Sequence, residues 1–417
     1  MRKTNYFILT LLTISFLLSL ISCSNLSNTT SDSNIIEEKP FPIAISAGSC
    51  HTLVLKSDGK LWAAGHNKVG QLGNSTDINM NFFYQTMEKN KFLDDVTAIA
   101  AGGYHNIIIR EDGGVWVVGS NSDGQLGIAS TNNQSKYVEI DDRNGNFKNA
   151  ISIAAGEINS LILKKDGTVW ITGNNHGQLG NGTTNSSNIF VQAKDNSGKP
   201  ISNVIAMACG TLHSIVLKRD GTVWSCGNNE SGLLGDGTTK NSNVFIQSKD
   251  YSDKPLSGVI AIAAGMEHSL ALKSDGTVWA VGYNKYGELS TGDTNNRSTF
   301  AQSLDNSLKP ITDAEAISAG WGHTIVLKKD GTVWTSGRNP YGQLGNSASG
   351  SNTFRTTLAQ ARDNNGYVKD VIAISAGGYF SLILKKDKTV WASGSNEDGQ
   401  FGNRTTTNSM VFIKVYE

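Results

Sequence analysis

The stretch LKKDGTVW occupies residues 163–170 and returns unchanged at 327–334. LKRDGTVW at 217–224 and LKSDGTVW at 272–279 each differ from it at one position. An octapeptide repeated this faithfully is either a chemical device used many times or a building part, and the spacing of its copies bears on the fold before any local reading does. Aligned on its last residue, tryptophans stand at Trp62, Trp116, Trp170, Trp224, Trp279, Trp334 and Trp391, spaced 54, 54, 54, 55, 55 and 57 residues apart. Trp321 alone lies outside the series. Seven copies of one unit therefore run from about Phe41 to the C-terminus.

Each unit approximates A-G-x-x-H-S-L-V-L-K-x-D-G-T-V-W-x-x-G-x-N-x-x-G-Q-L-G, as in SAGSCHTLVLKSDGKLWAAGHNKVGQLG at 46–73. Asp-Gly between two apolar runs predicts a β-hairpin with a two-residue type I′ turn. That register places Leu217 opposite Trp224 and Ile215 opposite Cys226, and likewise Leu55 opposite Trp62. Both faces of the hairpin are then apolar, so both must be covered, and neighbouring units supply the cover. Glycines at fixed offsets (Gly48, Gly65, Gly70 and Gly73 in the first copy) suit tight turns and close backbone approach. A polar loop follows, then a short strand such as 244–247 and another such as 259–264, giving four strands per unit. The repeat region opens on IAISAG at 43–48 and ends on SMVFIKVYE at 409–417, and the last strand supplies what the first unit lacks. The expected architecture is all-β: one domain over 41–417, a seven-bladed β-propeller of four-stranded blades, its ring closed by pairing of the N- and C-terminal strands.

This pattern resembles the regulator of chromosome condensation repeat family, over essentially all of residues 41–417. The resemblance implies a seven-bladed propeller. Some members of that family are nucleotide exchange factors for a small GTPase and carry a protruding hairpin wedge. Spacing between copies here varies by only three residues, from 54 to 57, so no inserted wedge is visible. The Asp-box of bacterial neuraminidases, S-x-D-x-G-x-T-W, is not matched, because Asp and Gly are adjacent here and Trp follows Thr-Val.

Residues 1–22 read as an export signal: Arg2 and Lys3 precede the apolar stretch 7–21, too short for a membrane span. Leu20-Ile21-Ser22-Cys23 resembles the bacterial lipobox, which implies lipidation of Cys23 as the mature N-terminus and anchoring in the cell envelope. Residues 23–40 then form a lipid-anchored, Ser/Asn/Thr-rich tether. Lys plus Arg equals Asp plus Glu, 36 against 36, so the chain has no overall basic charge to attract nucleic acid. Beyond Cys23 there remain Cys50, Cys209 and Cys226, an odd number with no metal-ligand spacing. Cys209 and Cys226 share one repeat and could pair, but both read as small buried hydrophobes.

No catalytic, nucleotide-binding or metal motif is present, so neither catalytic residues, cofactor nor metal are expected. His51, His105, His213, His268 and His323 share one repeat position, held by Asn159 in the third copy and Phe380 in the seventh. A catalytic group is needed once; equivalents around a ring predict a structural hydrogen bond within each blade. The repeated Asp reads as a turn residue, and the seven tryptophans as blade packing. Function must lie where the copies differ. The loops after the second strand of the hairpin vary most, and Tyr283, Tyr286, Arg338 and Tyr341 come from adjacent fifth and sixth copies, with Trp321 nearby. Trp, Tyr and Arg are the residue types enriched at binding hot spots. The expected function is a monomeric, non-catalytic scaffold at the envelope, presenting this patch to a protein or glycan. The alternatives are an exported enzyme or lectin acting on glycans and, last, an exchange factor.

Overall fold

In a computed structural model that describes residues 39–140 and 147–417, the chain forms seven sheets, each containing a four-stranded antiparallel blade contiguous in sequence. Cys23, the signal segment and nearly all of the tether lie outside the described residues. The first blade uses Pro42–Ala47, His51–Lys56, Leu61–Gly65 and Met80–Gln85, from the channel outward, and the seventh ends on Ser409–Tyr416. Among the described residues the one helical element is a 3₁₀ turn at Phe147–Asn149.

The core lies between blades rather than within them. One cluster joins Leu161, Leu163, Val169 and Ile171 of the third blade to Val204, Val216, Cys226 and Phe245 of the fourth, and comparable clusters repeat around the ring. No blade can bury both faces alone, which is why the unit recurs. The connections leaving the third and fourth blades also lap the next blade: Phe245 N–H donates to Lys194 O at 2.9 Å, and Phe300 N–H to Lys249 O at 2.9 Å.

Two expectations need correction. The ring is not closed by pairing of the terminal strands, because the N-terminal strand pairs with His51–Lys56 and the C-terminal strand with Val390–Gly394. Every blade is complete in sequence, so closure is by packing of the seventh blade on the first. Ala47 N–H donates to Ser375 Oγ at 2.9 Å, and Gly378 N–H to Gly48 O at 3.2 Å. The hairpin register is also one residue from that expected: Val216 faces Trp224 and Leu217 faces Val223. Gly221 has φ +78°, whereas Asp220 is not among the residues of positive φ. Lys218 O accepts from Gly221 N–H at 2.9 Å. The turn is therefore type I followed by a left-handed glycine bulge, a longer loop than type I′ that shifts the pairing.

The octapeptide is now explained atom by atom. Thr222 Oγ1 donates to Asp220 Oδ1 at 2.6 Å and accepts from Trp224 Nε1 at 3.1 Å. Lys218 Nζ lies 4.6 Å from the centre of the same indole. Where Lys60 and Gly114 replace that threonine, the Nε1 atoms of Trp62 and Trp116 have no partner. Trp279 is buried, stacked on Tyr251 at 5.6 Å, while the other six of the series sit half-buried at the rims of the clusters.

The repeated histidines bond between blades, not within them. His105 Nε2 meets Ser160 Oγ of the next blade at 2.8 Å, and that hydroxyl donates to Gln125 O at 2.7 Å. His213 with Ser269, His268 with Thr324 and His323 with Ser381 repeat the arrangement, and His51 meets Asn106 Oδ1 at 2.6 Å. A blade's second strand faces the neighbouring blade, which is where its polar side chains must find partners. Burial lowers all five imidazoles, to about 4 for His51 and His213 and about 3 for His105, His268 and His323, so they are neutral near pH 7. In the third blade Asn159 is fully buried with neither amide atom partnered, although Ser214 Oγ lies at the equivalent position. Asn159→His should complete the bond and raise stability by about 1 kcal/mol. An unchanged or lower thermal midpoint would contradict this account.

Candidate functional site

In an antiparallel blade the loops after the first and third strands emerge on one face of the ring. The first-to-second-strand loops ring the mouth of the central channel, whose internal cavity is about 300 Å³. The third-to-fourth-strand loops surround them. Each outer loop is built on a buried asparagine. In the fourth blade Asn229 Oδ1 accepts from Leu234 N–H at 2.9 Å, and Nδ2 donates to Asp236 Oδ1 at 3.0 Å and to the carbonyls of Thr238 and Lys240 at 3.1 Å. In five blades a glutamine follows whose side chain accepts from the backbone two residues before it, as Gln343 Oε1 does from Tyr341 N–H at 3.1 Å. The asparagine bonds fix the loop frame in every blade, so the residues that vary are held on a common scaffold.

On that frame Tyr283, Tyr286, Arg338, Tyr341 and Trp321 do come together. The Arg338 guanidinium lies over the Tyr286 ring at 4.9 Å and the Tyr379 ring at 5.6 Å, and Nη1 donates to Tyr379 Oη at 3.2 Å. Tyr379 also meets Trp321 edge-on at 5.1 Å and Tyr341 at 5.3 Å, while Tyr286 touches Tyr283 at 6.5 Å and Phe354 at 6.1 Å. Sequence reasoning missed Tyr379 and Phe354, although Tyr379 occupies a loop position filled by Gly322 and Glu267 in the preceding blades. The cluster thus draws on the fifth, sixth and seventh blades.

Two carboxylates complete the site, and neither was singled out from sequence. Glu157 reaches across the channel mouth: its Oε2 accepts from Trp321 Nε1 at 3.1 Å and from Ser49 Oγ at 2.7 Å. Burial raises this carboxyl above its ordinary range, against the lowering effect of those two donors. Glu288 is 2 % exposed and stands where five other copies have glutamine. Burial pushes it up to about 7, with Tyr286 N–H and Arg338 opposing the shift and Glu267 adding to it. Among the described residues, no group of three or more His, Cys, Asp or Glu could hold a metal ion. Cys209 and Cys226 are free and buried, and Cys50 is free and half-buried, its thiol pushed up to about 12 by burial and by Asp398.

Comparison with known proteins agrees with the propeller fold. The RCC1-like domain matches residues 201–416, and the regulator of chromosome condensation (RCC1) repeat matches 43–71, 96–125, 112–163 and 166–217. The chain is 27% identical over 326 residues to the ultraviolet-B receptor UVR8 of Arabidopsis thaliana, covering 76% of this chain and 70% of that protein. It is 26% identical over 385 residues to a secretion-regulating guanine nucleotide exchange factor of Mus musculus, covering 86% and 79%. Among solved structures, Prp20p of Saccharomyces cerevisiae superimposes with a TM-score of 0.72 at 18% identity, covering 90% of this chain and 88% of that one. Human WBSCR16 does so with a TM-score of 0.69 at 20% identity, covering 86% and 93%.

Proposed function

We propose, for a chain that belongs to the RCC1-like propeller family, that it is an interaction scaffold holding a partner on the face built by Trp321, Arg338 and the surrounding tyrosines. The observation that carries the reading is the convergence of a guanidinium and several aromatic rings from three consecutive blades onto one rim. Rigid aromatic and arginine side chains contribute contact area at low ordering cost, which is why they dominate interface energetics. The basic and apolar N-terminal segment ending in Cys23 supports export and lipid anchoring in the envelope, with an envelope protein as the partner. Exchange activity is the reading suggested by the name of the mouse relative. A glycan-directed enzyme or lectin remains the alternative for the same face.

Two measurements test this. The purified chain, immobilised, is exposed to detergent-solubilised envelope, and retained proteins are titrated against Trp321→Ala and Arg338→Ala. Loss of either side chain should weaken a saturable partner by at least about tenfold, or about 1.4 kcal/mol. Equal retention by both variants would remove the face from consideration. Metabolic labelling with a fatty acid, lost in Cys23→Ser, tests the anchor separately.

A further inference from the structure

We infer that Arg338 is a carboxylate-binding residue, so that the rim between the fifth and seventh blades takes an Asp or Glu side chain of a protein partner beside an apolar one. This rests on the reading of that face as a protein-docking surface and names the chemistry that surface selects.

The argument begins with a mismatch in the loop frame. In three other blades the glutamine amide nitrogen has an acceptor five residues earlier in the chain. Gln71 Nε2 meets His66 Nδ1 at 2.7 Å, Gln125 Nε2 meets Ser120 Oγ at 3.2 Å, and Gln400 Nε2 meets Ser395 Oγ at 3.4 Å. In the sixth blade the residue five before Gln343 is Arg338, which has donors only. Gln343 is fully buried, and its Nε2 and the Nε of Arg338 both lack a partner. Turning the amide over would not help, because Gln343 Oε1 already accepts from Tyr341 N–H. Both donors are thus left without an acceptor, as is Gln178 Nε2 in the third blade, where Gly173 stands five residues earlier.

The guanidinium itself is only partly matched. Its one protein hydrogen bond is to Tyr379 Oη, and Glu288 acts on it through its charge without forming an ion pair. Tyr286 and Tyr379 cover the guanidinium and fix its orientation, so little side-chain entropy remains to be lost on binding. A planar cation held this way offers its remaining N–H edge to a planar, two-oxygen anion, and the carboxylate is the protein group of that shape. Trp321, Tyr341 and Phe354, which is 41% exposed, provide apolar surface for the residue next to that carboxylate.

The groups facing Glu288 are Arg338, Glu267, Tyr283 and Tyr286. When Glu288 is ionised it competes with an incoming carboxylate for Arg338 and repels it. When it is protonated, as it is below about 7, that competition ends. Affinity for an acidic partner therefore falls as pH rises through about 7, and Glu288→Gln removes the dependence while keeping the acceptor that binds Tyr286 N–H.

The test is selection of a displayed random-peptide library on the purified full chain, followed by titration of the winning synthetic peptides. Enrichment of sequences pairing Asp or Glu with an apolar residue is expected. Arg338→Gln should weaken them by about 10- to 100-fold, Arg338→Lys by less, and Glu288→Gln should leave affinity flat across pH 7. Each variant's melting curve checks that it folds. Peptides without an acidic residue that still depend on Trp321 would overturn this inference and leave the docking face standing. Peptides enriched in Lys or Arg would assign the site to the neighbouring glutamates instead. Absence of any saturable peptide, with binding only to uronate-bearing glycans, would overturn the inference and the protein-docking reading together.

Discussion

Glu288→Gln is expected to make the protein about 2 kcal/mol more stable above neutral pH, with the gain fading below about pH 5. Glu288 has an ordinary value of 4.5 and is pushed up to about 7 in the fold by burial. The unfolded chain therefore releases its proton before the folded one does. Stability from this group is full below about 4.5, falls as pH rises, and is lost once pH exceeds about 7. That interval corresponds to about 3 kcal/mol, less about 1 kcal/mol for the glutamine N–H atoms that would lack an acceptor. The glutamine frame exists already: Gln71, Gln125, Gln178, Gln343 and Gln400 each accept from the backbone two residues before, as Glu288 Oε2 does from Tyr286 N–H at 2.9 Å. Five buried histidines act in the opposite sense, destabilising the fold as pH falls below 6.5 toward about 4 or 3. The difference between variant and parent, measured by thermal unfolding across pH, cancels the histidines and isolates Glu288. A difference that did not change with pH would show that this carboxyl is not raised.

Gly210→Ala should cost about 3–4 kcal/mol or prevent folding altogether. A Cβ built on Gly210 would lie 2.2 Å from Gly265 O of the next blade and 2.5 Å from His213 Cε1. Gly48, Gly102, Gly156, Gly265, Gly320 and Gly377 stand in the same relation, each facing the carbonyl of the following blade's glycine at 2.4 to 2.6 Å. They form a closed ring around the channel mouth. Neighbouring N–H groups tie these carbonyls down, as Gly103 N–H does to Gly156 O at 2.9 Å and Met266 N–H to Gly320 O at 3.2 Å. Backbone cannot yield there without opening the ring. Gly198→Ala is the control, because Gly198 has φ +76° but nothing within 4 Å of its would-be Cβ. It should cost only about 1 kcal/mol, from backbone strain alone. Comparable losses at the two positions would mean that contact across blades is not what the ring of glycines serves.

The repeat made most of this legible in advance. A unit returning every 54 to 57 residues, apolar on both faces of its hairpin and rich in glycine, has few ways to bury itself other than against its own copies. Seven tryptophans gave the blade number directly. The same logic removed the histidines and aspartates from the list of catalytic candidates, and Trp321, Arg338 and the loop tyrosines were visible as departures from the unit. Register was not legible, because Asp-Gly serves both a type I′ turn and a type I turn with a glycine bulge, and only backbone geometry distinguishes them. Nor was ring closure, since a cyclic repeat reads the same wherever the first blade begins.

Amino-acid sequence by itself thus determined the repeating unit, its copy number, its propeller architecture and the positions where copies differ, because periodic burial is a property of the chain. Tertiary structure alone decided which of those differences meet. Tyr379 of the seventh blade comes to Arg338 of the sixth, and Glu157 of the third blade reaches Trp321 of the sixth and Ser49 of the first. Leu358 lies beside the fifth copy's loop, where Ser290 replaces the glycine that faces an aromatic ring in the other copies. These pairings cross blade boundaries, and the bond from Trp321 to Glu157 spans 164 positions in the chain. Curvature of the ring sets them, and no local pattern encodes it.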